Sequence, residues 1–252
     1  MTAIHPDMED ASIFITGGGS GIGAALTTGF AAQGAKVAFV DLIDGAELAE
    51  TLSATCAHKP LALQCDVTDT GALGRAMDQA CAVHGPFKAV INNAANDQRY
   101  EFDAVTPDDW DDCQAVNLKS YFFACQMAAS RMVPQGAIVN YASISYMVGT
   151  GALIPYATAN AGISGLTRSL ARELGPRGLR VNAIAPGWVF TEKQERLWAT
   201  PKAKAAFLET QCLTRQMVPT DLVGPTLFLA SDASAMMTGQ TMVVDAGVVT
   251  TG

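Results

Sequence analysis

The chain is poor in the residues that would mark several functional classes. It holds only three histidines, His5, His58 and His84, at the N-terminus or at expected helix ends, so a histidine general base is not expected. Positive charge is also scarce: 16 Lys and Arg stand against 24 Asp and Glu, a net charge of −8. That balance argues against nucleic acid or an anionic membrane surface as a partner. The six cysteines, Cys56, Cys65, Cys81, Cys113, Cys125 and Cys212, form no C-x-x-C pair. They read as small apolar residues of a reducing compartment, and no His/Cys cluster has metal-ligand spacing. No apolar run reaches the roughly 18 residues of a membrane span. The acidic opening, residues 1–10, lacks the basic and apolar regions of a secretory signal, and a cytoplasmic location is expected.

What the chain has is a long alternation of β-branched runs and helical patterns. Strands are expected at 12–16, 36–41, 61–66, 89–92, 137–142, 180–183 and 241–245. Helices are expected near 22–33, 45–57, 71–83, 107–132, 156–174 and 220–231. Alternation of this kind signals βαβ units and a parallel sheet. Most of the strand runs are apolar without polar alternation, as in strands covered by helices on both faces. No Pro/Ser-rich linker divides the 252 residues, so one α/β domain spanning 1–252 is expected. The stretch 186–214 carries Trp188, Phe190, Trp198 and several charges but no strand signal, and reads as a substrate loop or lid.

The first strand runs directly into Thr16-Gly17-Gly18-Gly19-Ser20-Gly21-Ile22-Gly23 and then a helix. Strand, glycines and helix in this order make a dinucleotide-binding turn, with pyrophosphate meeting a helix N-terminus. Gly17, Gly19, Ser20, Gly21, Ile22 and Gly23 are the candidate contacts. The second strand ends on Asp41, eighteen residues past Gly23, with no basic residue beside it. A carboxylate there accepts from ribose hydroxyls and repels a 2′-phosphate, which favours NAD over NADP. Asp66-Val67 and Asn92-Asn93-Ala94-Ala95 close the third and fourth strands, at the sheet edge where ligands bind. Read alone, either is a polar strand-to-loop turn; beside the glycine loop, Asp66, Val67, Asn93, Ala94 and Ala95 are candidate cofactor walls.

Ser143 is followed thirteen residues later by Tyr156-Ala157-Thr158-Ala159-Asn160. With the glycine loop, Asp66, the Asn-Asn-Ala turn, Asn117 and Pro186-Gly187, this order and spacing resembles the short-chain dehydrogenases/reductases over essentially the whole chain. The resemblance implies a doubly wound (Rossmann) sheet of about seven strands, a nicotinamide cofactor, and a homotetramer or homodimer. It also implies Tyr156 as acid/base, Ser143 as partner of the reacting oxygen, and Asn117 as holder of a relay water. Asn92 to Arg99, Leu197-Trp198-Ala199-Thr200-Pro201 and Gln211-Cys212-Leu213 further resemble NAD-dependent aldose dehydrogenases, which oxidise free sugars at C1 to the lactone. The substrate candidates are then Ser143, Ser145, Tyr156, Asn96, Arg99, Trp188 and Gln194, and the cofactor candidates extend to Tyr156, Asn160, Pro186, Gly187 and Val189. For Arg99, Glu192 and Gln194, solvated loop residues are the competing reading.

The chain departs from the family at one position. A family lysine one helical turn beyond the tyrosine lowers its pKa and grips the nicotinamide ribose; here that position, i+4 on the same helix face, is Asn160. A tyrosine with a reference pKa of about 10 is a poor base unless lowered toward working pH. Asparagine hydrogen-bonds a ribose but brings no charge. Lys119 points to another helix face, and Lys193, in the long loop, is the remaining candidate cation. Three readings follow: an aldose dehydrogenase with altered acid/base chemistry, an NAD-binding protein with little turnover, or a secondary-alcohol dehydrogenase or ketone reductase. Tyr146, three residues after Ser143, is expected to wall the pocket.

Overall fold

In a computed structural model, residues 3–250 are described, so Met1, Thr2, Thr251 and Gly252 lie outside the account. The first half alternates β1 (Ser12–Thr16), α1 (Gly21–Ala32), β2 (Lys36–Asp41), α2 (Ala46–Ser53), β3 (Leu61–Gln64), α3 (Thr70–His84) and β4 (Phe87–Asn92). The second half runs α4 (Pro107–Gln114), α5 (Ser120–Ala129), β5 (Met132–Tyr141), α6 (Ser145–Val148), α7 (Ile154–Leu174) and β6 (Arg180–Pro186). It ends with α8 (Glu192–Leu197), α9 (Pro201–Leu208), α10 (Val223–Ala230) and β7 (Thr241–Val244). The seven strands form one sheet in the order β3-β2-β1-β4-β5-β6-β7, all neighbours parallel. This is the parallel α/β sheet expected from the alternation, in the doubly wound form that the family resemblance implies.

The apolar strands are buried because both faces of the sheet are covered. All five residues of β1 are buried, and alternate side chains leave on opposite faces. Ile13 and Ile15 pack with Leu26, Phe30, Val37 and Phe39 on one face. Phe14 packs with Val40, Leu73, Met77, Phe87 and Val90 on the other. Strand order reverses between β1 and β4, where the chain first moves outward and then returns to build the second half. In open α/β sheets, the loops at such a switch point splay apart and leave a crevice.

Two expectations of element structure are corrected. The helix expected over 107–132 is two helices separated by a π turn, Ala115–Lys119. The wider turn carries Asn117, whose Nδ2 donates to the Cys113 carbonyl at 2.9 Å, so a side chain replaces part of the backbone ladder. The stretch 186–214, read as irregular, contains α8 and α9, and an isolated parallel bridge joins Val189 near its start to Met217 just beyond it. Their start signals were present: the Thr191 side chain accepts from the Gln194 amide, and Thr200, followed by Pro201, accepts from the Ala203 amide.

Candidate active site

One cavity of about 1310 Å³ opens over the carboxyl ends of the strands. It runs from the glycine loop and Asp41 at one end to Tyr156 and the α8–α9 excursion at the other.

The glycine-loop end is made chiefly of backbone. Gly17 has φ +66°, and a Cβ there would lie 2.8 Å from the Ala94 Cα. A Cβ on Gly23 would stand 1.7 Å from the Gly17 carbonyl oxygen, so only glycine lets the first turn of α1 close on the loop. Asn93 stitches the two sides of the crevice: its Nδ2 donates to the Thr16 and Gly17 carbonyls at 3.2 and 3.0 Å, and its amide to Thr16 Oγ1 at 3.0 Å. Ser20 heads α1 without a side-chain cap, leaving the first helical amides to a ligand. Asp41 accepts from the Gly19 amide at 2.8 Å and lines the cavity with Leu42 and Ile43. The cavity's basic residues, Arg99, Lys193 and Arg196, all lie outside the glycine loop and β2. Asp66 folds back to accept from the amide and hydroxyl of Thr68, both at 2.8 Å, and it and Val67 line the same wall. A cradle that a single Cβ would fill, beside uncapped helix amides, fits a dinucleotide.

The other end is made of side chains from three segments. Ser143 follows β5 and its Oγ accepts the Ser145 amide at 3.1 Å, which starts α6. Tyr156, in the first turn of α7, is half-buried and lines the cavity with Ser143. Its hydroxyl is pushed up to about 12, first by burial and then by the charge of Asp97; hydrogen bonding from Asn160 and Ser143 opposes the rise. Asn160 is buried behind it and does not line the cavity; its Nδ2 donates to the Tyr156 carbonyl at 2.8 Å. Asn117 does not line the cavity either. It clamps the backbone of Asn96, accepting from the amide at 2.9 Å and donating to the carbonyl at 3.0 Å. Tyr146 is not the pocket wall expected of it, because its hydroxyl turns to Ser164 on α7 at 2.9 Å.

Asn96, Arg99, Ser145, Trp188 and Gln194 all reach the cavity, as do Pro186, Gly187 and Val189. Trp188 Nε1 donates to Gln194 Oε1 at 2.8 Å. The Arg99 guanidinium lies over the Trp198 ring at 4.6 Å and the Trp188 ring at 5.7 Å. Ser145 Oγ and Arg99 Nε are buried without a hydrogen-bond partner, so this end holds unspent polar capacity. Asp97 was missed by the sequence reading. Its carboxylate accepts from Lys193 Nζ at 2.9 Å and Gln194 Nε2 at 2.6 Å, across the cavity mouth. An acid two residues beyond the Asn-Ala-Ala turn was the available signal.

A family profile described as enoyl-(acyl carrier protein) reductase matches residues 17–249. The chain is 49% identical over 247 residues to a probable galactose dehydrogenase of Rhizobium meliloti, covering 96% of each. It is 41% identical to D-xylose 1-dehydrogenase of Caulobacter vibrioides, covering 98% of each. A short-chain dehydrogenase/reductase from Serratia marcescens superposes with a TM-score of 0.88 at 31% identity, over 97% of this chain and 99% of that one. The chain belongs to the short-chain dehydrogenase/reductase family. It is therefore an oxidoreductase that uses a nicotinamide cofactor. A putative gluconate dehydrogenase from Agrobacterium tumefaciens matches with a TM-score of 0.92 at 29% identity, over 99% of this chain and all of that one. Among the described residues, no group of three or more His, Cys, Asp and Glu side chains is placed to hold a metal, and no helix is long and apolar enough to cross a membrane.

Proposed function

We propose that the chain is an NAD-dependent aldose dehydrogenase that oxidises the C1 hydroxyl of a free sugar to the lactone. The observation that carries this reading is the make-up of the large cavity over the strand ends: a carboxylate at its cofactor end, Ser143 and Tyr156 further along, and a polar cluster beyond them. Asn96, Asp97, Arg99, Ser145 and Gln194 offer both donors and acceptors, which suit a polyhydroxylated substrate better than an apolar one. The names of the galactose and xylose dehydrogenase relatives support the same substrate class.

The residues divide the work as follows. Gly17, Gly21 and Gly23 admit the pyrophosphate to the start of α1, and Asp41 accepts from the adenosine ribose and repels a 2′-phosphate. Leu42 and Ile43, both exposed, offer an apolar surface to the adenine. When bound along this wall, with Gly187 and Val189 lining the far side, NAD would supply the acceptor for the hydride of C1. Ser143 holds the sugar oxygen, and the Tyr156 hydroxylate takes its proton, so the alcohol becomes a carbonyl with one hydride and one proton removed. The α8–α9 excursion serves as the lid that excludes water from this step.

The acid/base group works against its surroundings. With the phenol pushed up to about 12, the reactive hydroxylate is rare at neutral pH and grows about tenfold with each pH unit. Activity should therefore climb steadily into the alkaline range. Asn160→Lys should place a cation one helical turn from Tyr156, lower its pKa by about 1–3 units and move the climb down by the same amount. The test is a panel of aldoses with NAD⁺ and NADP⁺, followed by nicotinamide absorbance, on the chain and on N160K. Turnover of at least one aldose with NAD⁺ supports the reading, and silence of both proteins from about pH 7 to 10 rejects it. The raised tyrosine favours one second reading, an NAD-binding protein with little turnover. N160K creating activity from none, at unchanged NAD affinity, would select it.

A further inference from the structure

Tyr156 lacks a cation at the i+4 position of its own helix, yet a lysine stands at the same cavity on the opposite element. Lys193, in the first turn of α8, donates to Asp97 at 2.9 Å. Asp97 belongs to the loop after β4, whose backbone is held from the core side by Asn117 through Asn96. On the outer side, Gln194 ties the same carboxylate to Trp188. The carboxylate is therefore anchored from two directions in the cavity that Tyr156 also lines. We propose that Lys193 is a positioning residue that supplies the missing positive charge through Asp97, cancelling the carboxylate beside Tyr156 when the lid is down. The inference rests on the reading of Tyr156 as the base and of the α8–α9 excursion as the lid.

The groups acting on Tyr156 single out Asp97. From α4 comes Cys113, whose thiol burial pushes up; from α5 comes Tyr121, pushed well up by burial and by Tyr156 itself. Both are neutral at working pH. Ser143 and, on α7, Asn160 contribute hydrogen bonds but no charge. Asp97 remains as the ionised group. Burial pushes its carboxyl up, but Lys193 and then Gln194 outweigh that and hold it below the ordinary carboxylate value. A bare carboxylate here raises the energy of the tyrosinate, whereas a carboxylate paired with an ammonium presents only a dipole. The pair itself is half open to water, with the Lys193 side chain 45% exposed, so its worth to stability is small. Its consequence lies in the field at the base. Because Lys193 is carried by the excursion, ionisation of the base is coupled to lid position.

The test reads Tyr156 directly, without cofactor or substrate. Tyrosinate absorbance in the near ultraviolet is titrated for each protein and for the same protein carrying Tyr156→Phe, and the difference isolates this residue. Lys193→Gln should move the ionisation up by about 0.5–1 pH unit, and Asp97→Asn should move it down by a similar amount. Lys193→Arg keeps the charge and should titrate like the native chain. In the Asp97→Asn background Lys193 loses its carboxylate partner and turns to solvent, where its field is screened, so Lys193→Gln should have no further effect. A Lys193→Gln shift that persists in that background, an equal shift in Lys193→Arg, or no shift in a Lys193→Gln protein with a native thermal transition would each overturn the inference. If an aldose is turned over, the alkaline climb of kcat/KM should move in step with the titration. Silence of every aldose would defeat the proposed substrate while leaving the titration to judge the coupling.

Discussion

The two ends of the cavity are built by different means. At the glycine-loop end the walls are backbone, the gaps are too small for one extra carbon, and Asn93, Thr16 and Asp41 hold the loops in mutual hydrogen bonds. At the Tyr156 end the walls are side chains from separate loops, and buried polar atoms of Ser145 and Arg99 have no partner. The first end has one permitted shape and suits a ligand whose pyrophosphate never varies. The second has spare donors and acceptors and a contact between separate segments, Asp97 to Lys193, and suits a substrate that differs from relative to relative. Change at the first end should act through sterics and be nearly all-or-none. Change at the second should be graded and depend on which substrate is offered.

Gly23→Ala gives the largest expected effect. Its methyl group cannot coexist with the Gly17 carbonyl 1.7 Å away, so either the loop or the start of α1 must move. NAD affinity measured by calorimetry should fall about 100-fold or more, while the sheet, remote from the change, keeps its far-ultraviolet signature. Native affinity in this variant would break the distinction between the two ends. Asp41→Ala should follow with a smaller effect. On the proposed reading it removes a ribose acceptor and the repulsion of a 2′-phosphate, so the ratio of NADP to NAD dissociation constants should fall about 10- to 100-fold. The variant also frees the Gly19 amide from its 2.8 Å bond, which can weaken both cofactors but leaves their ratio informative.

The same difference explains what could be read in the sequence. Backbone constraints leave strong marks, because a position with room for no side chain must be glycine. Gly17 and Gly23 were legible for that reason, Asp41 by its place at the end of β2, and the seven strands by their unbroken apolar runs. Side-chain networks across long separations leave none. Asp97 and Lys193 are 96 residues apart, and nothing local announces that they meet. The engagement of the Asn117 amide with Asn96 and Cys113 likewise has no local mark. The π turn that aims it was invisible because an uninterrupted helical pattern of 3.6 residues tolerates one wide turn. Asn160 shows the limit from the other side. The sequence exposes the missing lysine and offers Lys193 as a candidate cation, but only the fold pairs that lysine with Asp97.

The smallest predicted effect tests whether the unspent polar capacity of the second end is used. Ser145 is 5% exposed, lines the cavity, and has no partner for its Oγ, although its amide is tied to Ser143. A buried hydroxyl without a partner costs the folded protein about 1–3 kcal/mol, so Ser145→Ala should leave the thermal transition unchanged or raise it. If the hydroxyl is there to meet a sugar hydroxyl, the same substitution should raise KM for the preferred aldose about 2- to 10-fold. The deoxy sugar lacking the contacted hydroxyl should lose that sensitivity. Substrate affinity should then fall with no loss of stability, and a purely structural serine cannot give both. A variant with lowered stability and unchanged KM would place Ser145 in the scaffold and leave substrate recognition to Asp97, Arg99 and Gln194.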